Sequence, residues 1–177
     1  ITPSFNSNSA ATNWALAIMA GVSQLYEAQA NVSVTVDYIY VWNTSDPYSA
    51  YINDASNMLS ALSNYWQGSN IQRDLAHLLT KRTNTGTGGI AWLDGLCNSY
   101  YGCAFSANLN NSTNFNFPNP SYTWNLSVVT HEIGHNIGAH HTHWCGWNAD
   151  PNANPPFSGG SIDNCTNTEG SCPDNPS

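Results

Sequence analysis

Residues 128–141 read VVTHEIGHNIGAHH. Around this stretch Leu126, Val129, Ile133 and Ile137 recur at spacings of 3, 4 and 4, the period of a helix that buries one face. A helix over about 123–137 is predicted, and its other side carries Val128, His131, Glu132 and His135. Imidazoles four residues apart on a helix project the same way, so His131 and His135 can chelate one metal ion. Glu132 is angled beside such an ion rather than onto it.

Gly138 follows three residues after His135. A glycine there can adopt the left-handed conformation that ends a helix. The chain can then turn and return His141 as a third ligand. Three imidazoles leave a fourth position open, the pattern of a catalytic zinc site and not of a closed structural one. Zinc suits such nitrogen donors, although nickel, cobalt or copper could occupy the same set. His140 and His143 fit solvent or loop hydrogen bonding better than metal binding, and His77 stands alone in an apolar run.

Working outward, Trp14, Ile18, Val22 and Leu25 predict a helix over 13–29, with Thr12 available as its cap. VSVTVDYIYVW, residues 32–42, alternates and then turns fully apolar, which reads as a strand passing into a buried setting. Asp46-Pro47 is a helix-start signal, and Tyr51, Ala55, Met58, Leu62 and Tyr65 continue it to Gly68. Residues 74–80 fit strand or helix. IAWL at 90–93, after a glycine cluster, reads as a short strand, and another is expected near Ala104–Ala107. From Trp144 to Ser177 no periodicity remains, and disulfides are expected to hold that stretch. The order is helix, strand, helix, strand, strand, helix, tail: mixed α/β (α+β), with helices on a small twisted sheet.

Only 8% of the 177 residues are charged, against about 25% in an average domain, and the net charge is -8. Arg73, Lys81 and Arg82 are all of the basic residues. Phosphate backbones would be repelled, so no nucleic-acid partner is expected. No apolar run reaches the length of a membrane span. Cys97, Cys103, Cys145, Cys165 and Cys172 form no Cys-x-x-Cys pair, and their loop-rich spacings suit disulfides and an oxidising, extracellular or cell-surface setting. The odd count leaves one cysteine free, paired between chains, or without its partner here. Sequons at Asn31, Asn43, Asn110, Asn111, Asn125 and Asn164 would accept N-glycans only on a eukaryotic secretory route. The chain starts at Ile1, not Met, and is expected to be a processed or excised fragment.

His-Glu-x-x-His-x-x-Gly-x-x-His over 131–141 resembles the zinc signature of the metzincin metallopeptidases. GGIAWLDGLC at 88–97 together with residues 128–141 resembles the reprolysin-like (adamalysin/ADAM-type) branch. HTHWCGW, GGSIDNC and EGSC resemble its bacterial secreted members. The resemblance implies a zincin catalytic domain with a twisted mixed sheet and two long helices. Residues 1–141 would form the upper subdomain and 142–177 the incomplete, loop-rich start of the lower one. Zinc would sit on His131, His135 and His141, with Glu132 as general base. An extended polypeptide would lie along an edge strand of Gly89, Ile90, Ala91 and Trp92.

The family's methionine turn lies downstream of the third histidine, whereas Met19 and Met58 are both upstream, so the sequence is expected to stop before that turn. By the same resemblance, a cysteine beyond the turn would partner Cys145, leaving Cys97–Cys103 and Cys165–Cys172 as local pairs. Other pairings stay open. Thr142 stands where animal and venom members carry Asp. The competing expectation is a zinc-containing structural or adhesive surface module of the same descent that no longer cleaves.

Overall fold

The first apolar run forms α1, Asn8–Ala30, which buries Trp14, Ile18, Val22 and Tyr26 along one face. Ser7, not Thr12, is the cap: its hydroxyl accepts the Ala10 N–H at 3.1 Å. Any hydroxyl just before the apolar face can start the helix, and an earlier one adds a further turn. At the other end Asn31 takes the left-handed conformation, φ 53°. The computed structural model describes residues 5–117, 123–147, 160–163 and 165–170.

The strand expected over 32–42 is absent: no residue of that stretch joins a ladder. Its fixed contacts are mainly made by side chains. Val34 packs on the α1 core, and Trp42 meets Tyr40, Tyr48 and Tyr65 at ring centroid distances of 4.9–5.7 Å. Alternation specifies which side chains turn inward, not which backbone supplies their hydrogen bonds.

The second helix, α2, spans Ala55–Gln67 and ends at Gly68, but begins later than Asp46-Pro47 suggests. Asp46 instead opens a turn, its carboxylate accepting the Tyr48 N–H at 2.8 Å. Asn53 then takes φ 52°, and Asp54 caps the helix that follows. Arg82 fastens the turn by donating to the carbonyls of Tyr48 (2.6 Å) and Tyr51 (2.9 Å). The chain's few cations thus serve as internal fasteners. Arg73 donates to the Ile71 and Ser99 carbonyls, and Lys81 lies over the Phe5 ring.

Three short strands follow: β1 (Ala76–Leu79), β2 (Gly89–Ala91) and β3 (Cys103–Ser106). Their order in the sheet is β1-β3-β2, with β1 parallel and β2 antiparallel to β3. Within residues 74–80, Ala76–Leu79 therefore resolve as strand. The last element, α3, spans Trp124–Asn136. Ala76, Cys103 and Phe105 pack with Met58, Leu59 and Leu62 of α2, while Leu75 and Leu79 pack toward the core of α1 and α3. Alternate strand residues thus serve two cores, giving the mixed α/β layering the element order implies. At Gly21 an added Cβ would lie 2.7 Å from the Phe115 ring and 3.0 Å from Leu126, so α1 and α3 approach closely because that side chain is missing.

The chain divides into two units, Ile1–Gly138 and Ala139–Ser177, three residues before the boundary read from the sequence. In the second unit Trp144 bridges Glu169 and Trp147 bridges Gly160 through backbone hydrogen bonds. The cysteine expectations need correction. Cys97, Cys103 and Cys165 are free thiols, so neither Cys97–Cys103 nor Cys165–Cys172 is formed. Cys97 instead donates to Asp74 at 3.4 Å, and Cys103 faces the α2 core. Cys145 is disulfide-bonded within the chain and does not await a partner beyond it. Cys172 itself, and Asn164, lie outside the described residues. Among the described residues no helix is long and apolar enough to cross a membrane.

Candidate metal centre

Thr123 sets the start of α3, its hydroxyl accepting the Leu126 N–H at 3.3 Å. Leu126, Val129 and Ile133 anchor the helix in the core, whereas Ile137, expected to continue that stripe, is 37% exposed just past the helix end. Fixing that face fixes the others. His131 and His135 turn outward together, their Nε2 atoms 3.0 Å apart and their rings at 81°. Two nitrogens this close converge on a common point, as chelation of one cation requires.

Glu132 points elsewhere and is only 5% exposed. Its carboxyl lies against the backbone of Gly89: a Cβ at that position would fall 2.5 Å from Oε1 and 2.8 Å from Cδ. The glycine of β2 is therefore what admits the carboxyl. Burial pushes the Glu132 carboxyl up from 4.5 to about 7. A carboxylate with that proton affinity can both accept and return a proton near neutrality.

The end of α3 is fastened to the chain leaving β2. The Asp94 N–H donates to the His135 carbonyl at 2.9 Å, and those of Gly95 and Leu96 donate to Asn136 at 2.9 and 3.1 Å. These bonds satisfy carbonyls that a helix end leaves open. The buried Asn136 amide returns the contact, donating to the Trp92 carbonyl (2.8 Å) and the Cys103 carbonyl (3.2 Å). Gly138 follows with φ 98°, a conformation that disfavours any Cβ. Gly89, Ile90 and Ala91 form β2 at the sheet's edge, and Trp92 follows it with its indole N–H on Ser63 at 2.8 Å.

The second unit holds a cluster of its own. Ligand atoms of His141, His143 and Glu169 lie within 4.8 Å of one another. His141 Nδ1 is 2.7 Å from Glu169 Oε1, and His143 Nε2 is 3.2 Å from the same oxygen. The hydrogen bond from His141 holds the Glu169 carboxyl below its usual range. His140 stacks on Trp144, with centroids 3.5 Å apart.

Sequence reasoning missed Asn136 and Glu169. Asn136 is an amide at an unspecified position inside the 131–141 signature, next to Ile137, which was a usable signal. Glu169 is 28 residues from His141 and had none. Among the sequons, Asn125 is fully buried, its amide donating to the carbonyls of Asn110 and Ser112.

A histidine pair on a helix, a buried glutamate between them and an antiparallel edge strand beside it define a metallopeptidase of the metzincin type. Residues 1–177 match the family model described as Metallo-peptidase family M12, and the chain belongs to that family. It is also similar to the Disintegrin and metalloproteinase domain-containing protein B of Aspergillus fumigatus, at 28% identity over 148 residues. That match covers 78% of this chain and 18% of the fungal protein, so the chain spans less than a fifth of that relative's length.

Proposed function

We propose that the chain is the catalytic domain of a zinc-dependent endopeptidase, in which His131, His135 and His141 hold one zinc ion and Glu132 moves the proton. The observation that carries this reading is the convergence of His131 and His135 at 3.0 Å beside a buried Glu132. Neutral imidazole nitrogens suit zinc, and a carboxyl raised to about 7 suits a proton shuttle. His141 enters as third ligand through its motif spacing after the positive-φ Gly138.

When bound, zinc supplies Lewis-acid polarisation of the scissile carbonyl and acidifies the attacking water. Glu132 takes that water's proton at its carboxyl and delivers it to the leaving nitrogen. The route needs no Ser or Cys nucleophile. The substrate is a polypeptide in extended conformation, paired along the edge that Gly89, Ile90, Ala91 and Trp92 present. A secreted setting is supported by the Cys145 disulfide, and the free thiols of Cys97, Cys103 and Cys165 add nothing to it.

The test is Glu132→Ala, assayed for cleavage of unfolded protein substrates and for bound zinc. Hydrolysis should fall roughly 100-fold to 10,000-fold, with zinc retained. Undiminished cleavage would remove Glu132 from the mechanism. Stoichiometric zinc with no cleavage by the unsubstituted chain would favour the structural or adhesive module instead.

A further inference from the structure

Glu169 has no part in the reaction as described, yet it is held by backbone bonds on both sides. Its N–H donates to the His143 carbonyl at 3.0 Å, and its carbonyl accepts the Cys145 N–H at 2.9 Å. These bonds fix where its side chain begins. The carboxylate then meets His141 Nδ1 at 2.7 Å and His143 Nε2 at 3.2 Å. The two imidazoles lie nearly parallel, 15° apart with centroids at 5.0 Å. The carbonyl of His141 is held separately by the Trp147 indole N–H at 2.7 Å.

A carboxylate only accepts hydrogen bonds, so the nitrogen facing it carries the hydrogen. A neutral imidazole has one N–H. With that hydrogen on Nδ1, the lone pair of His141 stands on Nε2. We propose that Glu169 is a positioning residue for His141, fixing its tautomer and ring orientation so that Nε2 is the metal-binding nitrogen. This rests on the reading of His141 as the third ligand. The residues flanking His141 are His140 and Thr142, neither of them an acid, so the carboxylate comes from the distant tail. Glu169, in the aperiodic stretch after Trp144, thereby braces the segment that carries His141. Ile162 contributes to the same brace, its N–H donating to the Thr142 carbonyl at 2.7 Å.

The test compares His141→Ala, His143→Ala and Glu169→Gln in the full chain. Zinc affinity is read by competition with a chromophoric chelator, and ligand geometry by the visible spectrum of the cobalt-loaded protein. Glu169→Gln keeps the shape and an acceptor oxygen but removes the charge, so a merely structural contact would survive it. The expected result is a loss of zinc affinity of about 10–100-fold, an altered cobalt spectrum, and unchanged melting of the metal-free protein. His141→Ala should weaken zinc at least as much, and His143→Ala far less. Wild-type affinity and spectrum in Glu169→Gln, with weakened binding in His141→Ala, overturn the role of Glu169 alone. Wild-type affinity in His141→Ala overturns the ligand reading beneath it. Equal losses in Glu169→Gln and His143→Ala overturn the positioning role in favour of an ion of their own.

Discussion

Gly89 and Glu132 occupy each other's space: a Cβ on the strand residue would fall 2.5 Å from the carboxyl oxygen of the helix residue. The absence of a side chain on β2 thus sets where the Glu132 carboxyl rests. Gly89→Ala is expected to push the carboxyl aside while leaving His131 and His135 in place. Peptide hydrolysis should fall on the order of 10–100-fold, the usual consequence of displacing a catalytic group by about an ångström. Bound zinc, measured on the same sample, should stay at its unsubstituted level.

Asn136 ties the end of α3 to β3 and to the residue that follows β2, through the carbonyls of Cys103 and Trp92. Asn136→Ala removes both donors in a fully buried place. Urea unfolding should show a loss of about 2–4 kcal/mol, since each buried acceptor left short costs roughly 1–3 kcal/mol. Asn136→Asp should cost more, because a carboxylate brings no donor to those oxygens.

Burial of His77 and of Glu132 bends the stability of the metal-free protein in opposite senses as pH changes. Burial lowers His77 from 6.5 to about 4, so in that window the unfolded chain binds more protons and stability rises with pH. Burial raises Glu132 from 4.5 to about 7, so the folded chain binds more protons and stability falls as pH rises. Each gap corresponds to roughly 3 kcal/mol across its window. Between about pH 4.5 and 6.5 the two slopes oppose. Glu132→Gln should therefore make stability climb with pH there, and His77→Gln should make it decline. Urea midpoints at pH 4.5 and 6.5 check both signs.

The free thiols should differ in reactivity. Cys97 and Cys165 are exposed and Cys103 is buried. Alkylation of the native protein should mark the first two, with Cys103 labelled only in denaturant. The hydrogen bond to Asp74 pushes the Cys97 thiol up, so Cys97 should react more slowly than an unhindered cysteine at neutral pH. Labelling of Cys103 in the native state would contradict the packing of the α2 core.

The helices were legible because their information is local. Trp14, Ile18 and Val22 announce α1, and Leu126, Val129 and Ile133 announce α3, at spacings that repeat every turn. Caps are local too, yet they compete: Ser7 displaced Thr12, and Asp54 displaced Asp46, because nearby hydroxyl and carboxylate groups qualify equally. The stretch 32–42 misled for the opposite reason. A strand needs a neighbour, and no pattern within eleven residues says whether one is there.

By itself the sequence determined the histidine-bearing helix, the placing of His131 and His135 on one face, the glycine that ends the helix, and the resemblance to the family. The helix and the shared face follow from spacing along a helix whose period is constant, and the family was legible as a resemblance of motifs. Only the tertiary structure decided that Glu132 is buried against Gly89, that Asn136 joins α3 to the sheet, that His77 meets Ser106, and that Glu169 reaches His141 from 28 residues on. Each depends on two segments meeting in space. Burial and charge pairing, which set proton affinity, exist only once they have met.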